Sequence, residues 1–172
     1  MALWYLGENH AADNILIADS EQGKMIALIE RKGEPFKGCY AFPGGFVDTH
    51  AKYGEHYRLD LESPYDAAIR ELKEEVSVEL VPELVLSVDE VGFYNDRGRD
   101  PRNTDEAWVA STAFLIGLSE CVPLTAADDA ASAEWKSLKD VIVGNIELAF
   151  DHRQILDDAL AHFPWLNDKP TS

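Results

Sequence analysis

Basic residues are scarce in this chain: 15 lysines and arginines stand against 32 aspartates and glutamates, a formal net charge of −17 over 172 residues. A field of that sign repels polyanions, so attachment to DNA, RNA or an anionic membrane surface is disfavoured, and no nucleic acid or membrane is expected among the partners. Cysteine is scarcer still. Cys39 and Cys121 each stand alone in an apolar stretch with no second cysteine or histidine at zinc-finger spacing, which argues against a disulfide scaffold and a structural zinc site. Long apolar runs are also missing. The longest uncharged run, Ala107 to Leu118, falls short of the roughly 18 residues a bilayer span needs. The N-terminal Met-Ala-Leu-Trp-Tyr-Leu-Gly-Glu has no basic segment ahead of an apolar one. The expectation is a soluble protein of a reducing, cytoplasmic compartment.

What is present fits one globular domain over residues 1–172, with 46% hydrophobic and 27% charged residues and neither internal repeats nor a Pro/Ser-rich linker. Asn14 to Ala18 and Met25 to Arg31 are apolar runs around a Gly-containing turn, the pattern of a hairpin. A Gly- and Pro-punctuated stretch, Gly38 to Gly45, leads into a polar segment without period, Asp48 to Asp60, read as a long loop. Leu80 to Val91 and Glu106 to Leu118 read as strands on either side of a charged loop, and Glu134 to Leu138 as a short one. From Glu147 to Phe163 apolar residues recur at helical spacing, predicting an amphipathic C-terminal helix on the sheet. The fold class is α/β or α+β.

The clearest helix starts at Ser63-Pro64-Tyr65-Asp66, where a hydroxyl cap, a proline at the first helical position and an acid in the first turn satisfy the free end. It should run to about Val76. At about 100° per residue, Glu71, Glu74 and Glu75 share one face while Tyr65, Ile69, Leu72 and Val76 form the opposite, core stripe. Like charges at this spacing cost roughly 0.2–0.5 kcal/mol per pair unless something offsets them. A solvated face is the plain reading of such a cluster; a divalent cation held by hard oxygen ligands, Mg²⁺ or Mn²⁺, is the chemical one.

The surroundings favour the chemical reading. Pro43-Gly44-Gly45 precedes the helix, and Glu62-x7-Arg70-Glu71-Leu72-x-Glu74-Glu75 runs into it. This pattern resembles the Nudix signature, Gly-x5-Glu-x7-Arg-Glu-apolar-x-Glu-Glu-x-Gly-apolar. Two departures stand out. Sixteen residues separate Gly45 from Glu62 where the signature has five, so residues 49–61 form an inserted loop, and Glu55 within it competes with Glu62 for the first glutamate position. The spacing to Arg70 favours Glu62. The signature's last glycine is Ser77, which costs some strain if φ there is positive.

The resemblance implies a mixed β-sheet sandwiched between helices, with the motif as loop, helix and loop. It implies that Glu71, Glu74 and Glu75, joined by the Gly44 carbonyl, hold a divalent cation, Mg²⁺ or alternatively Mn²⁺. Arg70 would orient the glutamates, Glu71 would be a candidate base, and Asp129, in a loop before Glu134, a second candidate acid. Arg97-Gly98-Arg99-Asp100-Pro101-Arg102 and the following Asn103-Thr104-Asp105-Glu106-Ala107-Trp108 resemble the ADP-ribose pyrophosphatases within that superfamily, as does Leu148-Ala149-Phe150-Asp151-His152. On that resemblance Arg99 and Arg102 would face a terminal ribose or diphosphate. Arg31 would be a further phosphate contact, and one of Phe36, Phe42, Tyr94 or Trp108 would stack adenine. His152 reads as a packing or capping residue. The plain alternative for the arginine loop is internal pairing to Asp96, Asp100 and Asp105.

The implied activity is Mg²⁺-dependent hydrolysis of ADP-ribose, or a related ADP-sugar, to AMP and ribose 5-phosphate. A nucleoside-triphosphate or dinucleotide pyrophosphohydrolase is one alternative. A non-catalytic ADP-ribose sensor is another. That reading expects eroded glutamates and an appended basic DNA-binding domain, whereas Glu71, Glu74 and Glu75 are present and Pro164 to Ser172 alone follow the predicted helix. The partner is a small nucleoside diphosphate derivative, and a homodimer stays open because bacterial relatives often exchange N-terminal strands.

Overall fold

The computed structural model describes residues 3–168. Its spine is β1 (Gly7–Ser20), which pairs in parallel with β6 (Ala107–Leu118) along nearly its whole length, from Gly7↔Ala107 to Ala18↔Leu118. A tight turn at Gly23, whose φ of 110° suits glycine, folds β2 (Gly23–Arg31) back antiparallel onto the second half of β1. The first half of β1 is left to β4 (Gly44–Phe46), with Ala12 opposite Gly45. β3 (Tyr40–Ala41) and β7 (Ala130–Ser137) add to β2, and β5 (Val85–Tyr94) closes the far edge against β6. Seven strands form the mixed sheet.

Alternation along β1 assigns the two faces. Ile15 and Ile17 pack with Ile26, Leu28 and Leu115 beneath α2 (Leu138–Ile142) and α3 (His152–His162). Leu16 and Ala18 pack with Ala27, Ile116, Leu72 and Val76 beneath α1 (Pro64–Val76). Each fully buried aliphatic side chain contributes about 1.5–3 kcal/mol, so the sheet is held from both sides. Among the described residues no helix is long and apolar enough to cross a membrane.

The helix-flanked mixed sheet agrees with the expected fold class; several boundaries differ. β1 begins at Gly7, ahead of the predicted Asn14, because pairing with β6 carries the polar Glu8-Asn9-His10 into the ladder. β5 starts after Pro82, which lacks the N–H a ladder needs, and the Leu84 N–H closes a turn onto Val81 O at 2.9 Å. Ser137 ends β7 and caps α2, a helix the sequence reading took as strand at Leu138. The predicted C-terminal helix loses its first turn. Tyr40 N–H to Glu147 O (3.0 Å) and Ala149 N–H to Tyr40 O (2.7 Å) hold residues 147–149 beside β3, and Phe150 turns at φ 52° into α3. Tyr65 leaves the expected core stripe: it is 42% exposed, while Ala67 and Ala68 let α1 approach the sheet.

Candidate active site

Ser63 Oγ accepts from Asp66 N–H at 3.1 Å and Pro64 opens α1, so the helix starts where the capping residues put it. At its other end Ser77 stands at φ 60°, the conformation the sequence marked as strained, and Val78 N–H returns to Leu72 O at 3.0 Å. A left-handed serine costs roughly 1–2 kcal/mol, accepted where the chain must leave the helix abruptly.

Arg70 is the hub of the helix face. Its guanidinium donates five hydrogen bonds: to both Glu62 carboxylate oxygens (2.8 and 2.9 Å), to Glu71 Oε1 (2.8 Å), to Glu74 Oε2 (2.9 Å) and to the Phe46 carbonyl (2.9 Å). Glu62, which also accepts from Asp48 N–H at 3.0 Å, is thus the glutamate the structure brings to Arg70. Glu55 stays within the insertion and accepts from Lys52 N–H. The pairing holds Glu62 below the usual carboxylate range and Arg70 well above its own.

Glu71 and Glu75 differ from Glu62. Burial raises the pKa of Glu71 against the opposing pull of Arg70. Glu75 is pushed up to about 8 by burial, by Glu71, and then by Asp129 and Asp13; among the described residues its one hydrogen bond is from Gly44 N–H at 2.8 Å. Asp129, in the turn before β7, is therefore near enough to be felt at Glu75. Glu74 is the outlying member, with 57% of its side chain exposed beside Arg70. Gly44 and Gly45 leave the room these groups use. A Cβ on Gly45 would collide with the Glu71 carboxylate, and one on Gly44 with the Ala12 carbonyl.

Among the described residues no three carboxylate, histidine or cysteine side chains form a ready-made metal cage. The donor set nonetheless fits a hard divalent cation. Its oxygens are carboxylate and carbonyl, and Glu75 sits in a largely buried place where Glu71, Asp129 and Asp13 all oppose its charge.

Facing these acids is a cleft of about 160 Å³ bounded by Glu75, Gly44, Gly45 and, opposite, Arg31, Arg99 and Arg102. The arginines are not equivalent. Arg99 is bound through Nε and Nη2 to both oxygens of Asp151 (2.8 Å each) and through Nη1 to Ser111 Oγ (2.8 Å), with 5% of its side chain exposed. Arg102 holds Asp100 at 2.7 and 3.0 Å. Arg31 gives only Nε, to Pro35 O at 2.7 Å, and its guanidinium lies over the Phe150 ring at 4.9 Å, with that of Arg102 at 5.4 Å from the same ring. Burial and the neighbouring Arg102 both lower the Arg31 pKa, the mark of two cations sharing one anion-ready place.

Of the aromatic candidates, Phe42 lines the cleft but lies flat on His152, ring centres 4.5 Å apart. Trp108 is not brought to the cleft. Strand alternation sends Val109 and Ser111 into it, while Trp108 takes the Arg97 guanidinium over its ring at 3.1 Å. Tyr94 is occupied with Asp158 at 2.7 Å, and Phe36 packs behind Phe150.

The pattern of helix, glycines and acids meets its counterpart among known proteins. A family model for the NUDIX domain matches residues 8–159. The chain belongs to the Nudix family. It is 36% identical over 163 residues to an ADP-ribose pyrophosphatase of Methanocaldococcus jannaschii, covering 95% of this chain and 78% of that one. It is 27% identical to an ADPR-responsive transcriptional repressor, NtrR, of Acinetobacter baylyi, covering 91% of this chain but only 54% of the repressor. Among solved structures, the NUDIX domain of Shewanella oneidensis NrtR, complexed with ADP ribose, superposes with a TM-score of 0.71 at 22% identity, over 90% of this chain and 88% of that one, which shows the shared fold.

Three residues of this Nudix cleft went unassigned in the sequence. Asp151 anchors Arg99 from the start of α3, where it makes no capping bond. Phe150 carries the two arginines on a left-handed backbone that nothing in its residue type announces. Asp13 lines the cleft from the centre of β1, hidden in an apolar run. His152, read as a packing residue, is 4% exposed and accepts from Phe42 N–H at 3.1 Å through Nδ1.

Proposed function

We propose that this Nudix hydrolase cleaves the diphosphate of ADP-ribose, or of a related ADP-sugar, to AMP and ribose 5-phosphate in a Mg²⁺-dependent reaction, with Mn²⁺ as an alternative ion. The observation that carries this reading is the single cleft in which Glu75, raised by burial and neighbouring carboxylates, faces Arg31, whose terminal nitrogens have no partner among the described residues, and Arg102, which keeps Nη1 free beyond its pair with Asp100. A diphosphate with a divalent ion fills both needs at once. The identity to an archaeal ADP-ribose pyrophosphatase supports the substrate class.

Glu71 and Glu75, with Glu74 and the Gly44 carbonyl as further oxygen donors, would hold the cation. When bound, such an ion neutralises phosphate charge and lowers the pKa of an attacking water. The protein's own groups do the rest. Arg70 fixes Glu71 and Glu62 in place through its hydrogen bonds, so the acid face is set before substrate arrives. Arg31 and Arg102, stacked on Phe150, grip diphosphate oxygens from the opposite wall. Arg99, saturated by Asp151 and Ser111, positions the loop and leaves the gripping to the other two. Glu71 is the candidate to take the proton of the attacking water, and Asp129 the alternative.

The test is product chromatography after incubation with ADP-ribose, ADP-glucose, a diadenosine polyphosphate, a reduced nicotinamide dinucleotide and deoxynucleoside triphosphates, with Mg²⁺ and with Glu75→Gln as control. AMP released fastest from ADP-ribose, only by the intact glutamate, supports the reading. A triphosphate or dinucleotide cleaved faster overturns the substrate, and tight binding of ADP-ribose without cleavage favours a sensor.

A further inference from the structure

Asn14 is a polar residue in the middle of the sheet. It stands on the α1 face of β1 between Ala12 and Leu16, 0% exposed and out of reach of any ligand. Its side-chain amide donates to Pro43 O (3.2 Å) and to Ala68 O (3.0 Å), and its backbone N–H donates to Pro43 O as well (2.9 Å). Two carbonyl partners fix which end of the amide is nitrogen. The other end, Oδ1, is buried with no hydrogen-bond partner among the described residues. A buried acceptor left unpaired is a net cost to the fold. Leucine has the same branched shape without that cost, and it would leave neither carbonyl bare. Pro43 O would keep the backbone N–H of residue 14, and Ala68 O its place in the helical ladder of α1. Stability alone therefore gives no reason for the amide.

What the amide holds is the peptide between Pro43 and Gly44. Proline has no N–H, so the Pro43 carbonyl is its only backbone hydrogen-bonding group, and Asn14 binds it twice. The N–H of the same peptide, on Gly44, donates to Glu75 Oε2 at 2.8 Å. A peptide unit is rigid and planar, so fixing its carbonyl aims its N–H. Gly44 and Gly45 leave the room that Ala12 O and the Glu71 carboxylate occupy, but they have no side chains to hold their own peptides and rotate more freely than any other residue. Rigidity there must come from outside the loop. The second bond of the amide supplies it: Ala68 lies on α1 about one turn before Glu71 and about two before Glu75, so one side chain ties strand, glycine loop and helix together.

We infer that Asn14 is a positioning residue of the active site: its amide clamps the Pro43–Gly44 peptide against α1 and so keeps Gly44 N–H on Glu75, and it is retained at some cost in stability. The effect on turnover rests on the proposed hydrolysis of ADP-ribose. The clamp itself does not, because its bonds lie wholly within the chain.

The experiment compares the full chain with Asn14→Leu and Asn14→Ala, and with Ile15→Val as a control that trims the core from the opposite face of β1. Melting and the hydrogen exchange of the isotope-labelled Gly44 amide are measured in chelator, and kcat and KM for ADP-ribose with Mg²⁺. Asn14→Leu should melt at or above the parent, because it removes the unpaired acceptor. Its Gly44 amide should nevertheless exchange about tenfold faster or more. Its kcat should fall about tenfold to a hundredfold, with KM within about twofold of the parent, because the arginine wall is untouched. Asn14→Ala removes the same donors without added bulk and should repeat the changes in exchange and kcat, which decides the matter where the leucine overfills the site. Ile15→Val should lower Tm slightly and move neither. Exchange or kcat unchanged in both Asn14 variants overturns the inference, as does a fall in Tm large enough to account for the faster exchange. If the parent cleaves no ADP-ribose, the Gly44 amide decides alone: faster exchange in both variants leaves the clamp standing while the hydrolytic reading falls, and unchanged exchange removes both.

Discussion

The two walls of the cleft are charged in opposite senses and built on opposite principles. On the acid wall Glu75 forms no ion pair among the described residues and is pushed up to about 8, chiefly by burial and by neighbouring carboxylates. On the basic wall most of the charge is already spent: Arg99 is bound to Asp151, and Arg102 to Asp100. Only Arg31 on that wall keeps both terminal nitrogens free of a partner among the described residues. The difference teaches that number of charges is a poor guide to which residues bind. Satisfied groups hold geometry; unsatisfied groups wait for a ligand.

The largest effect expected on either wall is at Glu75. Glu75→Gln should lower kcat on ADP-ribose by about 10²–10³-fold. In the presence of chelator it should melt no lower than the parent, because it removes a buried carboxylate and keeps an acceptor for Gly44 N–H. The same variant should lose the rise in Tm that Mg²⁺ gives the parent, since an ion that binds only the folded state stabilises in proportion to its occupancy. On the basic wall, Arg99→Met should act in the opposite way. It strands the Asp151 carboxylate in a place where 13% of that side chain is exposed, costing about 3–5 kcal/mol in denaturant unfolding. A KM that rises while stability is unchanged would move Arg99 into the binding group and erase the contrast.

These contrasts explain how much was legible in the sequence. α1 was, since its cap, proline, spacing and acid face are local and its register decides every side chain upon it. Glu62 was chosen over Glu55 by spacing alone, and Arg70 does meet Glu62. The basic wall was only half legible, because arginines within six residues announce a cluster but not its partners. Asp151, 52 residues beyond Arg99, and Ser111 become visible only when β6 and α3 converge. Trp108 was assigned by its neighbours in sequence and removed by strand alternation, since Val109 and Ser111 are the β6 side chains that line the cleft. The start of β1 was missed because Glu8-Asn9-His10 lacks an apolar pattern, yet parallel pairing with β6 holds it as strand.

Smaller effects sharpen the comparison. Arg31→Ala should raise KM for ADP-ribose about tenfold and leave Tm nearly unmoved, because Arg31 gives the fold only one hydrogen bond, to Pro35 O. A large loss of stability there would place Arg31 with Arg99 as a positioning residue and leave Arg102, already paired with Asp100, as the remaining grip on that wall. The smallest effect concerns His152, which sits behind the cleft against Phe42. Its Nδ1 accepts the Phe42 N–H, so the neutral ring carries its proton on Nε2, and a second proton has no place without breaking that bond. Burial accordingly lowers its pKa, against the pull of Asp13 and Asp151. A histidine depressed in the fold contributes stability that is complete above its unfolded value, about 6.5, and is lost as pH falls, because the unfolded chain then binds a proton the folded chain refuses. Melting curves between pH 7 and 5 should therefore fall more steeply for the parent than for His152→Gln, whose amide oxygen can accept the same N–H without titrating. Parallel acid limbs for the two proteins would mean that Asp13, with Oδ1 3.8 Å from Nε2, already holds His152 charged. The back of the cleft would then join the basic wall as another cation paired in advance.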